Sequence, residues 1–473
     1  PFDRTIIVGG SGTDIANGNA LITAVNNALA AVPAPSAGNP WLIKVEPGIF
    51  DLGNQTLQLQ SWIDIEGSGR NATFIRSGGS PFVGNPTTVN VAAGVDSELR
   101  DVTIQYFSNS NSGGAGLINA TYRVDSNRGS FVLQRINPAI FPAPERIMAN
   151  LLRLQAKSDE HPELGIRLPE LIAAADGQPF VRDRDGGVWR LMEYIHGSRT
   201  LSSVQNRTQA AEIGRALGRF HQLGAELKPD DLDITLPGFH HTPSCLHALD
   251  AALNSADSTA QQSVPRDEDI NQALAFIAAR RPLVHCLEDA LGQGLTRIRV
   301  IHGDPKLDNL LFHESTDQAL CLIDLDTVQP GLIQHDIGDC LRSCCKRVCE
   351  SDAEADPSTS TSTSTGTSAR TVQFDLDICG DILDAYAQQV RRLVSPAEVE
   401  LIYPAIRLIP LELGLRFLTD HLQGDRYFRV AARGENLRKA RVQFALVADI
   451  ERQAAAIETI VRRIFGSEGQ RRT

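Results

Sequence analysis

The stretch FSNSNSGGAG, residues 107–116, divides the chain into two textures that cannot share one hydrophobic pattern. Before it, apolar residues come in short runs: WLIKVEP, TLQLQ, WIDIEGS, TFIRS, TVNVAAG and LRDVTIQYF, broken by PG, GN and GSG. Runs of that length and punctuation predict strands. One exception, ALITAVNNALAAV at 20–32, has the three-to-four spacing of a helix. After the junction, residues 117–190 alternate strand-like runs, LINATYRVD and SFVLQRI, with the helical run PERIMANLLRLQ. Beyond 208 the spacing is helical, in TQAAEIGRALGRFHQLGAEL, INQALAFIAARRPLVHCLEDAL, FDLDICGDILDAYAQQVRRL and 396–465. The 473 residues exceed the roughly 250–300 that one core serves. The expectation is an α+β chain of more than one folding unit, with 108–116 as linker.

Partners and compartment follow from charge and cysteine usage. A net charge of −12 repels phosphates, which argues against nucleic acid or an anionic membrane surface as partner. No run of about 18 apolar residues predicts a transmembrane helix. PFDRTIIVGG lacks the basic start and apolar stretch of a signal peptide. All eight cysteines follow residue 240, and Cys340, Cys344, Cys345 and Cys349 crowd into CLRSCCKRVC without CxxC spacing. That suits buried, reduced thiols better than a zinc site or a disulfide framework, and so a cytoplasmic protein. ESDAEADPSTSTSTSTGTSART, 350–371, is acidic and then mostly Ser and Thr. It is too polar to offset the entropy of ordering, and the expectation is a disordered surface insertion.

VIHGDPKLDNLLF, 300–312, sets His302, Asp304, Lys306, Asp308 and Asn309 between apolar flanks. Ionisable groups next to a core cap a turn or do chemistry. Asp304 and Asn309 have the D-x-x-x-x-N spacing with which a carboxylate accepts a hydroxyl proton and an amide ligates a metal. Lys306 stands where it can reach a transferring phosphate. The apolar strand CLIDLDTV then delivers Asp324 twenty residues after Asp304, a gap that fits strand–turn–strand. HDIGD adds Asp336 and Asp339, read as capping the following helix and bracing the loop. The predicted chemistry is phosphoryl transfer.

Residues 114–466 resemble the aminoglycoside phosphotransferase-like kinase superfamily, and within it the N-acetylhexosamine 1-kinases. The resemblance is carried by GLINATYRV, FVLQRINPAIFPAPERIMAN, LPGFHHTPS, VIHGDPKLDNLLF, CLIDLDTVQPGLIQHDIGD and LELGLRFLTDHLQGDRYF. It implies a two-lobed kinase-like fold, with a small lobe and hinge over 117–196 and a helical lobe over 197–466. It implies ATP and Mg2+, with Asp304 and Lys306 at the reacting groups and Asn309 and Asp324 on the metal. Gly114 and Gly116 would cover the phosphates, and Glu193 and Tyr194 would meet adenine through their backbone. The strand position that usually carries a phosphate-holding Lys has Gln134, with Arg135 on the opposite face and Glu145 as a candidate helix partner. Arg416 and Tyr427, and more weakly His240, look like sugar contacts. Arg416 and Asp420 also have the spacing of a surface ion pair. Residues 1–107 resemble the start of a pectin-lyase-type parallel β-helix in LIKVEPGIFDLG, IDIEGSGRNATFI and ELRDVTIQ, too short for a complete one and with no enzymatic role of its own.

The resulting expectation is a kinase of a small-molecule sugar acceptor, acting on the anomeric hydroxyl of an N-acetylhexosamine. A second reading keeps the kinase and changes the acceptor to an aminoglycoside, choline or homoserine. A third makes the chain a carbohydrate-binding β-helix module carrying an inactive kinase-like domain. Oligomeric state is left open.

Overall fold

The computed structural model describes residues 4–9, 13–31, 34–37, 39–52, 57–68, 73–77, 89–91, 99–100, 103–106, 119–126, 129–183, 186–259, 268–350, 370–428, 430 and 432–466. They fall into two compact units. One lies within Pro1–Ser112, Ile118–Glu145 and Pro169–Arg199; the other lies within Arg146–Leu168 and Thr200–Thr473.

The first unit opens with β1 (Arg4–Val8) and α1 (Asp14–Leu29). The Thr13 side chain accepts from the Ala16 N–H and so caps α1. Three short strands follow, β2 (Trp41–Val45), β3 (Gly48–Asp51) and β4 (Leu57–Leu59). The path is then repeated by β5 (Ile63–Gly67), β6 (Thr73–Ser77) and β7 (Val89–Val91), and begun again by β8 (Leu99–Arg100) and β9 (Thr103–Tyr106). Each strand pairs in parallel with its counterpart one circuit away: β2 with β5, β3 with β6, β4 with β7, β5 with β8 and β6 with β9. The register places Ile43 opposite Ile65 and Phe50 opposite Ile75. Like residues therefore stack in a core that Leu21, Val25 and Ala28 of α1 complete. Glu66, read from sequence as part of a solvated face, lies 3.7 Å from Lys44, its register partner.

A second, antiparallel sheet belongs to the same unit. Its strands are β10 (Ala120–Ser126), β11 (Gly129–Arg135), β12 (Leu171–Ile172), β13 (Val181–Arg182) and β14 (Val188–Glu193), in the order β10-β11-β14-β12 with β13 also on β14. Alternation is clean along β14, where Val188, Arg190 and Met192 are buried. The last strand of the unit is β15 (Ser198–Arg199).

The second unit is mainly helical: α2 (Pro144–Glu160, within this unit from Arg146), α3 (Arg207–Ala225), α4 (Thr242–Thr259), α5 (Glu268–Ala278) and α6 (Cys286–Gly292). The run read as one helix over 270–291 is broken into α5, a 3-10 turn and α6. Pro282 sits in the turn Arg281–His285, where its missing N–H ends α-helical bonding. β16 (Arg299–Ile301), β17 (Leu310–His313), β18 (Ala319–Leu322) and β19 (Gln329–Gly331) lead into α7 (Ile333–Cys344). After it come β20 (Lys346–Glu350), β21 (Arg370–Phe374), α8 (Leu376–Val390), α9 (Pro396–Glu400), α10 (Ile402–Leu422), α11 (Glu435–Arg452) and α12 (Ala454–Phe465). α3 and α8 pack closely enough that a Cβ on Gly214 would lie 2.1 Å from the Ile382 carbonyl. α10 runs through the core, burying Leu408, Leu411, Leu415 and Leu418.

The insertion was expected over 350–371. Glu350, Arg370 and Thr371 belong to the β20–β21 ladder, and residues 351–369 lie outside the described residues. Cys340, Cys344, Cys345 and Cys379 are buried and free. No described helix is long and apolar enough to cross a membrane.

Candidate active site

Two antiparallel pairs, β16 with β19 and β17 with β18, frame residues 302–309 and the turn at 323–327. At the end of the β17–β18 ladder, the Ile323 N–H donates to the Asn309 carbonyl at 2.9 Å. The backbone beside Asp324 is thereby bound to the backbone of Asn309. Asp324 takes a left-handed conformation, φ 61 and ψ 52, unusual for a residue with a Cβ, and it is exposed.

Within the loop, Lys306 Nζ donates to Asp304 Oδ2 at 2.5 Å, and Asn309 Nδ2 donates to the same oxygen at 3.2 Å and to the Asp304 carbonyl at 2.8 Å. Burial alone would lift the Asp304 carboxyl; the Lys306 charge outweighs it and holds the group below its usual range. Burial likewise works against the Lys306 ammonium, and Asp304 and Asp324 overcome it, so Lys306 stays charged. Both side-chain donors sit on Oδ2.

The loop is braced from behind by a residue whose role the sequence half revealed. Asp336 does not cap α7: the helix starts at Ile333 with Leu332 as its cap residue, and Asp336 lies inside its first turn. Its fully buried carboxylate accepts the N–H groups of His302 at 2.7 Å and Gly303 at 2.8 Å, and meets His221 Nε2 at 2.9 Å. His221 Nδ1 reaches the Tyr386 hydroxyl at 2.7 Å. Burial raises the Asp336 carboxyl, and the bond to His221 outweighs this, so it stays ionised. Gly303 has φ +86, and a Cβ there would stand 2.7 Å from the Thr327 carbonyl. Thr327 Oγ1 in turn donates to the His302 carbonyl at 2.8 Å. Asn150 of α2 donates to the Val328 carbonyl at 2.9 Å and steadies the far side of the Asp324 turn.

His240, at φ 57, is better understood as a brace than as a sugar contact. Its Nε2 meets the Gly303 carbonyl at 2.6 Å and its Nδ1 meets Glu412 Oε1 at 3.0 Å, so neither ring nitrogen is left for a ligand. Burial opposes its charge, but Glu412 reverses the balance and lifts its pKa to about 9. Glu412, held also by the Thr242 hydroxyl at 2.7 Å, is brought down to about 2 against the opposing effect of burial, chiefly by His240.

The phosphotransferase enzyme family model matches residues 113–356, more than half of the chain. The chain belongs to this family. Its fold is kinase-like, mixing helices and sheets. Similar solved structures include the microcompartment-associated aminopropanol kinase (17% identity, covering 72% of this chain and 90% of that one, TM-score 0.43). An aminoglycoside phosphotransferase from Alicyclobacillus acidocaldarius matches at 16% identity, over 76% and 92%, with TM-score 0.46. The choline kinase of Cryptosporidium parvum matches at 13%, over 73% and 89%, with TM-score 0.45.

The other candidate residues of this phosphotransferase divide between the units. Arg416 and Tyr427 stay together, guanidinium to hydroxyl at 3.3 Å. Arg416 has no ion pair with Asp420; that carboxylate is buried and accepts the N–H groups of Arg426, Tyr427 and Phe428, which fixes the turn presenting Tyr427. In the first unit, Gln134 bonds to Arg190, its register partner on β14, at 2.7 Å and 3.0 Å. Arg190 is a buried cation on the face where the sequence showed only an amide, and nothing local in WRLME marked it. Arg135 faces the other way and lies 3.6 Å from Asp183. Glu145 pairs with Arg182 at 3.0 Å, not with Gln134. The Glu193 N–H donates to the Glu170 carbonyl, and Tyr194 is buried beneath Arg123 at 4.4 Å. Gly114 and Gly116 lie outside the described residues.

Among the described residues no three His, Cys, Asp or Glu side chains group to hold a metal. Asp324 and Asn309, joined through the Ile323 backbone, would offer oxygen ligands only. The Asn309 nitrogen is committed to Asp304, so its amide oxygen is the atom left to ligate. A magnesium ion fits such a set, since it keeps waters and substrate phosphates in its shell and takes only one or two protein oxygens.

Proposed function

We propose that this phosphotransferase is an ATP- and Mg2+-dependent kinase of a small sugar, acting on the anomeric hydroxyl of an N-acetylhexosamine. The observation that carries the reading is the hydrogen bonding that joins Asp304, Lys306 and Asn309 to one carboxylate oxygen and ties Asn309 to the backbone beside Asp324. Asp304 Oδ1 orients the acceptor hydroxyl and takes its proton as the new oxygen–phosphorus bond forms and the bond between the γ-phosphorus and the ADP oxygen breaks, releasing ADP. Lys306, already charged, lies beside the Asp304 carboxylate and counters the negative charge of the incoming phosphoryl group. Asn309 and Asp324 would hold the metal, which when bound would supply positive charge against that of the phosphates. Positioning and charge neutralisation supply most of the rate in such a site.

In the first unit, Gln134, Arg135, Glu193 and Tyr194 were the nucleotide candidates. Arg190, whose guanidinium bonds to Gln134, joins them as a further candidate cation. Arg416 and Tyr427 would contact the sugar. The three parallel ladders of β2–β9, visited twice in the same order, support reading residues 1–107 as a partial β-helix. The domain limits 1–107, 117–196 and 197–466 belong to this proposal.

The test is ADP release from the full chain with Mg·ATP across N-acetylhexosamines, aminoglycosides, choline and homoserine. N-acetylhexosamines should be the best acceptors. Asp304→Asn should bind Mg·ATP normally and lose roughly 10²–10⁴ in turnover. Near-full turnover by that variant would refute the role given to Asp304.

A further inference from the structure

α7 carries two side chains that the phosphotransfer chemistry leaves unused. His335 and Asp339 stand one helical turn apart and share a face. Their exposures are 7% and 5%. Among the described residues, neither ring nitrogen of His335 has a hydrogen-bond partner, and neither has Oδ2 of Asp339. The other Asp339 oxygen is taken by Arg342 at 2.8 Å. Buried polar atoms without partners are rare in folded proteins, and a group of them on one face calls for a ligand or ordered water.

The surroundings favour a ligand. The His335 ring stacks on His240 at 5.0 Å between centroids, and His240 holds the carbonyl of Gly303, the residue before Asp304. Asp339 is near enough to Lys306 and His240 to favour the charged form of each. The open atoms thus flank the loop that carries Asp304. From His240 a series of rings leads outward: Phe239 at 4.2 Å, then Arg416 over Phe239 at 5.4 Å and over Tyr427 at 5.7 Å. Tyr427 is 43% exposed.

The charge state selects the ligand. Burial first, and the His240 charge second, hold the His335 pKa at about 3, so its ring is neutral. A neutral imidazole offers one donor and one acceptor, and Asp339 Oδ2 offers an acceptor. Such a row matches hydroxyls or a secondary amide. The cations Arg416, His240 and Arg342 balance the carboxylates Glu412, Asp336 and Asp339 around it, and Glu288 is pushed by burial towards its neutral form, so no net negative charge is left there. An ammonium group gains little there.

We propose that the His335–Asp339 face of α7 binds the non-reacting polar groups of the acceptor, and that the acceptor is a neutral molecule with adjacent hydroxyl or amide groups, not an amine cation. The inference rests on the reading that the Asp304 loop transfers phosphate. Its test compares wild type, His335→Ala, His335→Gln and Asp339→Asn as full chains. Each is assayed with N-acetylglucosamine, a series of its monodeoxy analogues, and ethanolamine as an amine acceptor; Mg·ATP affinity is measured in parallel. The expected result is about a tenfold or greater rise in sugar KM for His335→Ala and Asp339→Asn, as for a lost hydrogen bond of about 1.4 kcal/mol. Mg·ATP affinity should hold within about twofold, and His335→Gln should recover part of the loss. One deoxy analogue should be penalised about tenfold by wild type and no further by His335→Ala. If His335→Ala does not fold, the Gln and Asn variants carry the same comparison. Unchanged sugar KM, or a deoxy penalty that the variants leave intact, overturns the proposal and assigns the face to ordered water. Preference for ethanolamine overturns it while phosphotransfer stands. Tight Mg·ATP binding with no acceptor-dependent ADP release removes the phosphotransfer reading and this inference with it.

Discussion

Glu412→Gln isolates what the buried His240–Glu412 pair contributes. His240 is held near pKa about 9 against about 6.5 when unfolded. A group whose pKa is raised by folding stabilises fully below the unfolded value and ceases to do so as pH climbs through the folded one. The histidine contribution is then about 3 kcal/mol at pH 6, about 1.4 at pH 8 and below about 0.1 at pH 10. Glu412, at about 2, measures the same attraction from the other side, so it is counted once. Its part is present above about 4.5 and lost as pH falls through about 2. Gln keeps the shape and an acceptor for Thr242 but removes the charge. Thermal unfolding should show the variant melting roughly 6–12 °C lower at pH 6, with the gap nearly closed at pH 10. Steady-state turnover should fall at pH 6 as well, because the His240 grip on Gly303 loosens. A gap of constant size from pH 6 to 10 would refute the argument, since a packing defect has no reason to follow the charge on His240.

Asp336→Ala should cost about 3–5 kcal/mol, since it strands two buried N–H groups and the His221 ring; denaturant midpoints would read this, and a loss below about 1 kcal/mol would contradict the brace. Gly303→Ala should destabilise and also depress kcat, because its φ and the Thr327 carbonyl both exclude a Cβ; the check is turnover measured on protein verified as folded. Asp324→Asn should raise the Mg2+ concentration for half-maximal ADP release by roughly 10–100-fold, with little change in melting temperature, as the side chain is exposed.

What was legible in the sequence was local. The strands β2 and β4–β9 lie where WLIKVEP, TLQLQ, WIDIEGS, TFIRS, TVNVAAG and LRDVTIQYF predicted them, because alternation and turn residues act within a few positions. RTIIV and GIFD also form strands, β1 and β3, and neither was among the runs read as strands, though GIFD lies within the LIKVEPGIFDLG that carried the β-helix resemblance. The polar cluster at 302–309 and the apolar strand before Asp324 announced one loop, since each motif is short and flanked by core. The supports of that loop carried no such mark. His221, Tyr386 and Glu412 look like ordinary helix residues in their own segments, and their meaning comes from partners 115, 165 and 172 positions away. Asp336 was misread as a cap because acids do gather at helix starts; the helix began one turn earlier, at an apolar residue. His240 entered through the resemblance and His335 was not singled out, although both nitrogens of His240 are occupied and those of His335 have no partner among the described residues.

The segment that the family model matches ends at 356, yet Tyr386 and Glu412, which hold the loop through His221 and His240, come after it. A nascent chain would therefore write out the loop proposed to react before owning the scaffold that aligns it. Any product terminating short of α10 would carry that loop without Glu412 to steady it. Competence in this molecule arrives late in synthesis, with the closing helices as its gatekeepers.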